Sequence, residues 1–68
     1  MMEQGGVKWF ETAKGYGFIQ PDDNSQDVFV HYSKIESAGY KKLIADQRIS
    51  YDLQTRNGKS NAVNLKLI

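Results

Sequence analysis

The run Lys14-Gly15-Tyr16-Gly17-Phe18-Ile19-Gln20-Pro21-Asp22-Asp23-Asn24, followed by Asp27-Val28-Phe29-Val30-His31-Tyr32, decides the fold. Two short stretches rich in β-branched and aromatic residues flank an acidic Pro-Asp-Asp-Asn turn, which predicts a β-hairpin. Successive residues of a strand point to opposite faces. In the first stretch Tyr16 and Phe18 share one face, Gly17 and Ile19 the other. In the second, Phe29 and His31 share one face, Val28 and Val30 the other. The aliphatic side makes a core. The opposite side then bears three aromatics and the chain's only histidine. An ordinary solvated face does not look like this, whereas contiguous apolar patches mark binding surfaces.

Outward from this hairpin the punctuation stays regular. Gly5-Gly6 and Asn57-Gly58 interrupt further β-rich runs. The spacing predicts strands over about 6–12, 15–20, 26–31, 47–55 and 60–67. Five short strands with tight turns form a sandwich or barrel, and closure into a barrel protects the edges of so small a sheet. Residues 32–46 are a long connection. Ser33 there is a candidate cap for one helical turn, with Glu36 completing a capping box. Gly39 stops any longer helix. Parity predicts a core of Val7, Ile19, Val28, Val30, Ile49, Leu53, Val63 and Leu65, with Tyr51 at its margin. Trp9 has the parity of Val7, so placing it beside the aromatic face requires a bulge near Trp9-Phe10.

The 68 residues suffice for one domain, 1–68, with no room for a second core. There is no cysteine, hence no disulfide framework and no thiolate metal site. No charged leader with an apolar run is visible, and no stretch is long and apolar enough to span a membrane. A cytoplasmic monomer is the expectation. The net charge is +1. Residues 1–34 carry three cations against five acids, and residues 35–68 six against three. Bulk charge is therefore a poor basis for ligand binding.

The aromatic face has its own chemistry. Tyr16 and Phe18 form a flat platform, and the intervening glycines leave the backbone uncrowded. Bases stack on such rings without regard to sequence, while Lys14 meets a phosphate. Phe29 and His31 widen the platform, and Lys8-Trp9 adds a third edge. His31 lacks the companion ligands that a metal site needs. Asp22, Asp23, Asn24 and Asp27 lack the spacing and distal glutamate of a calcium loop. No phosphate-cradling Gly-x-x-x-x-Gly-Lys-Ser/Thr is present, which excludes an ATP-driven helicase.

Three ordered segments, Gly6-Val7-Lys8-Trp9-Phe10, Lys14-Gly15-Tyr16-Gly17-Phe18-Ile19 and Asp27-Val28-Phe29-Val30-His31-Tyr32, resemble the bacterial cold-shock domain family. The likeness runs from about residue 5 to residue 68. It implies an all-β, five-stranded antiparallel OB-type barrel that binds single-stranded RNA and DNA, with no catalytic residue, metal, cofactor, membrane or small-molecule substrate. It implies an RNA chaperone or a regulator of transcription or translation. The implied binding side chains are Lys8, Trp9, Lys14, Tyr16, Phe18, Phe29, His31 and Tyr32, with Tyr40 as the aromatic of the long loop. Glu11 stands where the family usually has Asn. Tyr16 and Tyr32 stand where it usually has Phe. Gly58-Lys59-Ser60 replaces its usual Gly-Pro. Competing readings are an RNA-recognition domain, which needs two crossover helices, a duplex-DNA reader, which needs a reading helix or ribbon, and a protein-interaction barrel using the same patch. A surface that holds bases more than phosphates predicts binding that weakens only modestly with salt.

Overall fold

A computed structural model describes residues 2–68. Five strands, β1 (Glu3–Glu11), β2 (Tyr16–Pro21), β3 (Val28–His31), β4 (Arg48–Arg56) and β5 (Lys59–Leu67), close into a barrel in the order β1-β2-β3-β5-β4. One short helix, α1 (Tyr32–Ser37), sits between β3 and β4. Four of the seams are antiparallel. The fifth, β3 against β5, is parallel and rests on the single register pair Phe29↔Asn61. The expected five-stranded OB-type barrel is present, with its thinnest seam beside the aromatic face.

Strand β1 begins earlier than its composition suggests. Glu3 to Gly6 pair with Tyr51 to Arg48, so the sheet recruits residues that local propensity leaves undecided. Between Val7 and Trp9 the register against β2 shifts: Val7 faces Ile19, but Trp9 faces Phe18. Lys8 is the extra residue. The expected bulge therefore exists, one position earlier than placed. It sends Val7 into the core and Trp9 outward, two residues apart in sequence yet on opposite faces.

The core comprises Val7, Ile19, Val28, Val30, Ile35, Leu43, Ile49, Tyr51, Ala62 and Leu65. Three sequence expectations need correction. Tyr51 is not marginal: its accessibility is 0%. Burial, with Glu3, Asp23 and Asp22 nearby, pushes its phenol above the ordinary range. Leu53 is 50% exposed, because β1 starts opposite Tyr51 and nothing of it covers β4 farther on. Val63 is only half-buried, and Ala62 takes the inward place. The cause is a second bulge. Ser50 pairs with Lys66 but Asp52 with Val63, so β5 holds an extra residue. Asn64 adopts φ 52° there and donates from Nδ2 to Asp52 Oδ2 at 2.8 Å. Simple alternation fails across both bulges.

Helix α1 is capped by His31, not by Ser33. The strand runs up to His31, so the last non-helical residue is the histidine. Its Nδ1 accepts the Ser33 amide at 3.1 Å. At the other end Gly39 takes φ 90°, its amide donates to the Glu36 carbonyl, and the Tyr40 amide reaches the Ile35 carbonyl. That paired closure, with a left-handed glycine, ends the helix after one and a half turns. Ile35 is its one buried residue.

Candidate nucleic-acid interface

Cross-strand register assembles the aromatic face. Tyr16 lies opposite His31 and Phe18 opposite Phe29 on the β2–β3 pair, while Trp9 lies opposite Phe18 on β1–β2. Directly opposed residues share a face, so five rings from three strands meet on one surface. Tyr16 and Phe29 stack, with centroids 5.5 Å apart and planes 25° apart. Trp9 meets Tyr16 at 5.6 Å and Phe18 at 5.4 Å, both edge-on. Phe18 meets Phe29 at 5.8 Å and Tyr16 at 6.2 Å, again edge-on. His31 continues the row from Phe29 at 6.4 Å. Such geometry holds each ring against its neighbours while leaving area open. Trp9 remains 38% exposed, and Tyr16, Phe18 and Phe29 are half-buried.

Gly17 explains how the strands come this close. A Cβ there would meet the Trp9 carbonyl oxygen inside contact distance and lie 2.7 Å from the Phe10 Cα. Only glycine lets β1 lie against β2 at this point. Gly15 opens the same stretch at φ 77°, and its carbonyl accepts the Tyr32 amide at 2.9 Å.

The charged residues are arranged around the rings in pairs. Lys8 Nζ lies 2.9 Å from Asp27 Oδ2, and Lys14 Nζ lies 3.9 Å from Glu11 Oε2. Farther off, Arg48 makes two hydrogen bonds to Asp22. These hold the Asp22 carboxyl below its ordinary range and raise the guanidinium. Hydrogen bonds from Ser25 lower Asp23 in the same way. Lys8 lies on the bulge directly before Trp9, and Lys14 in the β1–β2 turn two residues before Tyr16.

Two residues expected in the patch lie apart from it. Among the described residues no ring pair joins Tyr32 or Tyr40 to the cluster. Tyr32 opens α1 beside the Gly15 turn. Tyr40 packs against the core, and its hydroxyl accepts the Leu67 amide at 3.2 Å. Conversely, a cleft of about 420 Å³ beside Phe18 and Phe29 is lined by Gln26, Asp27, Lys59 and Asn61. Neither Asp27 nor Lys59 is among the binding side chains that the resemblance implies. The signal available was that Asp27 directly precedes Val28-Phe29. Among the described residues no three His, Cys, Asp or Glu side chains come together to hold a metal ion, and no helix is long and apolar enough to cross a membrane.

Residues 3–68 match the model of the 'Cold-shock' DNA-binding domain. This chain belongs to the cold-shock domain family. It is 52% identical over 67 residues to the cold shock protein CspA of Rhizobium meliloti, covering 96% of this chain and 97% of that one. It is 54% identical over 68 residues to the probable cold shock protein y4cH of Sinorhizobium fredii, covering 97% and 99%. It is 44% identical over 62 residues to the cold shock-like protein CspE of Escherichia coli K12, covering 91% and 90%. As a cold-shock domain the chain is of a nucleic-acid-binding family, and the five-ring face is its exposed aromatic cluster.

Proposed function

We propose that this domain binds single-stranded RNA and DNA with little regard to sequence, by stacking bases on Trp9, Tyr16, Phe18, Phe29 and His31. The observation that carries the reading is the continuity of these rings across three strands on the face turned away from the core. Every base has a π-face, so stacking tolerates any sequence. A duplex keeps its bases inside and offers the platform only phosphates. Lys8 and Lys14 meet the backbone of the ligand. Tyr32, at the start of α1 beside the Gly15 turn, extends the surface at its margin, whereas Tyr40 is held against the core.

Binding of this kind gives an RNA chaperone, or a regulator of transcription or translation, by mass action. A ligand shifts an equilibrium only by its differential affinity for the two states. Preference for unpaired strands therefore opens weak hairpins without fuel. The test is a titration of Trp9 fluorescence with a pyrimidine hexanucleotide, in competition with its duplex. Quenching by the single strand and preference over the duplex are expected. Phe29→Ala should cost about 1–3 kcal/mol of affinity, equally for different sequences. An undiminished affinity for that variant sinks the platform reading, and unchanged Trp9 fluorescence points to a protein partner for the same patch.

A further inference from the structure

Lys8 and Lys14 are already engaged, the first with Asp27 and the second with Glu11. The weak β3–β5 seam, with its single pair, leaves the barrel splayed on both sides of Asn61. One side is the cleft beside Phe18 and Phe29. On the other, a notch of about 220 Å³ lies between the end of β3, the start of α1 and the β4–β5 hairpin. It is lined by His31, Lys34, Gln54, Arg56, Asn61 and Ala62. His31 is thus both the last ring of the platform and one wall of the notch. No acidic side chain lines it, and among the described residues neither Lys34 nor Arg56 has a carboxylate within ion-pair distance. Gln54 and Asn61 add neutral amide groups.

We infer that this notch is a phosphate subsite, through which the backbone of a single strand leaves the platform past His31. The inference rests on the stacking reading proposed above. Lys34 reaches the notch from the first turn of α1 and Arg56 from the strand end before the hairpin tip. They line the notch from two elements, so a backbone phosphate seated in it meets both cations. A guanidinium binds phosphate in a forked geometry and an ammonium as a point charge. Because neither cation must first give up a carboxylate, phosphate binding there releases counterions fully.

The test is the salt dependence of binding to an all-thymine nonanucleotide, read by Trp9 fluorescence. Each phosphate neutralised on a single strand contributes about −0.7 to the slope of log Kobs against log salt. With one phosphate held between them, the double variant Lys34→Gln, Arg56→Gln should therefore flatten the slope by about 0.7. Between about 50 and 200 mM salt, the parent should lose roughly 2.6-fold more affinity than the variant. A charge-matched control, Lys42→Gln with Lys66→Gln, removes two exposed cations that do not line the notch. An unchanged slope in the notch variant overturns the subsite, and so does an equal flattening in the control, which assigns the effect to bulk charge. Quenching persists in both of those cases. Absence of quenching with the parent protein is a different failure, and removes the stacking platform as well.

Discussion

Replacing Gly17 by alanine is a one-methyl perturbation with a large expected effect. The added Cβ would press on the Trp9 carbonyl oxygen, lie 2.7 Å from the Phe10 Cα and 2.8 Å from the Phe10 Cδ1. Two of these three atoms are backbone, so no rotamer change relieves the contact. To restore even 3.4 Å at the Phe10 Cα, the strand must withdraw by about 0.7 Å. It would do so at the pairs Phe10↔Gly17 and Trp9↔Phe18, directly after the Lys8 bulge. Overpacking of a close-fitted interior costs about 1–3 kcal/mol. For a domain this small each kcal/mol moves Tm by about 4–8 °C, so the expected drop is roughly 4–24 °C. Circular dichroism gives the melting curve without relying on Trp9. Gly6→Ala is the matched control. Its Cβ meets nothing nearer than an Arg48 side-chain nitrogen at 3.9 Å, and reduced freedom of the unfolded chain should stabilise it by about 0.4–1 kcal/mol. If Gly17→Ala melts within about 2 °C of the parent, the close approach of β1 to β2 is not what this glycine provides.

Glu11→Gln should raise affinity for a thymine hexanucleotide about two- to five-fold at low salt, because its carboxylate lies 3.9 Å from Lys14 and competes with phosphate. The gain should vanish at 1 M salt, and a loss of affinity would mean that Glu11 instead positions Lys14. Tyr40→Phe should cost about 0.5–1.5 kcal/mol in urea unfolding, since it removes the acceptor of the Leu67 amide; equal stability would show that bond to be idle. Arg48 depresses the Asp22 carboxyl through its hydrogen bonds. A folded-state pKa below the unfolded one, about 3.9, gives stability that is present above that pH and lost as pH falls through the folded value. Asp22→Asn should therefore flatten the stability profile of chemical denaturation below about pH 4, and an unaltered acid limb would remove the pair from the account.

The hairpin around Pro21 was legible because alternation and turn chemistry agree there, and it carried the aromatic face with it. Tyr16, Phe18, Phe29 and His31 sit on regular strand, where parity transfers directly to three dimensions. Trp9 became legible only as a conflict: its parity with Val7 required a bulge, and Lys8 supplies it. The bulge at Asn64 left no such conflict. Both Val63 and Ala62 are apolar, so nothing in the residue types reveals which points inward. Asn at a left-handed φ was the one available cue. Ile35 escaped notice because six helical residues show no periodicity, and Leu43 because it lies in the irregular chain before β4; burial of both comes from tertiary packing alone. The His31 cap depended on where β3 ends, which a capping motif cannot specify. The Lys34–Arg56 notch joins residues 22 positions apart across a one-pair seam, and no local pattern in the chain points to it.

The pairing of Lys8 and Lys14 with carboxylates changes what the small net charge means for binding. A phosphate that reaches Lys8 or Lys14 displaces Asp27 or Glu11, and the freed carboxylate then gathers a counterion of its own. The exchange returns to the protein part of the ion release that the nucleic acid provides, so these contacts steepen the salt dependence little. Lys34 and Arg56 make no such exchange. The proposed function and subsite together place salt sensitivity at the notch past His31 and stacking affinity on the rings from Trp9 to Phe29. A ligand long enough to cover both should respond to salt more steeply than one that covers the rings alone, although both quench Trp9 equally.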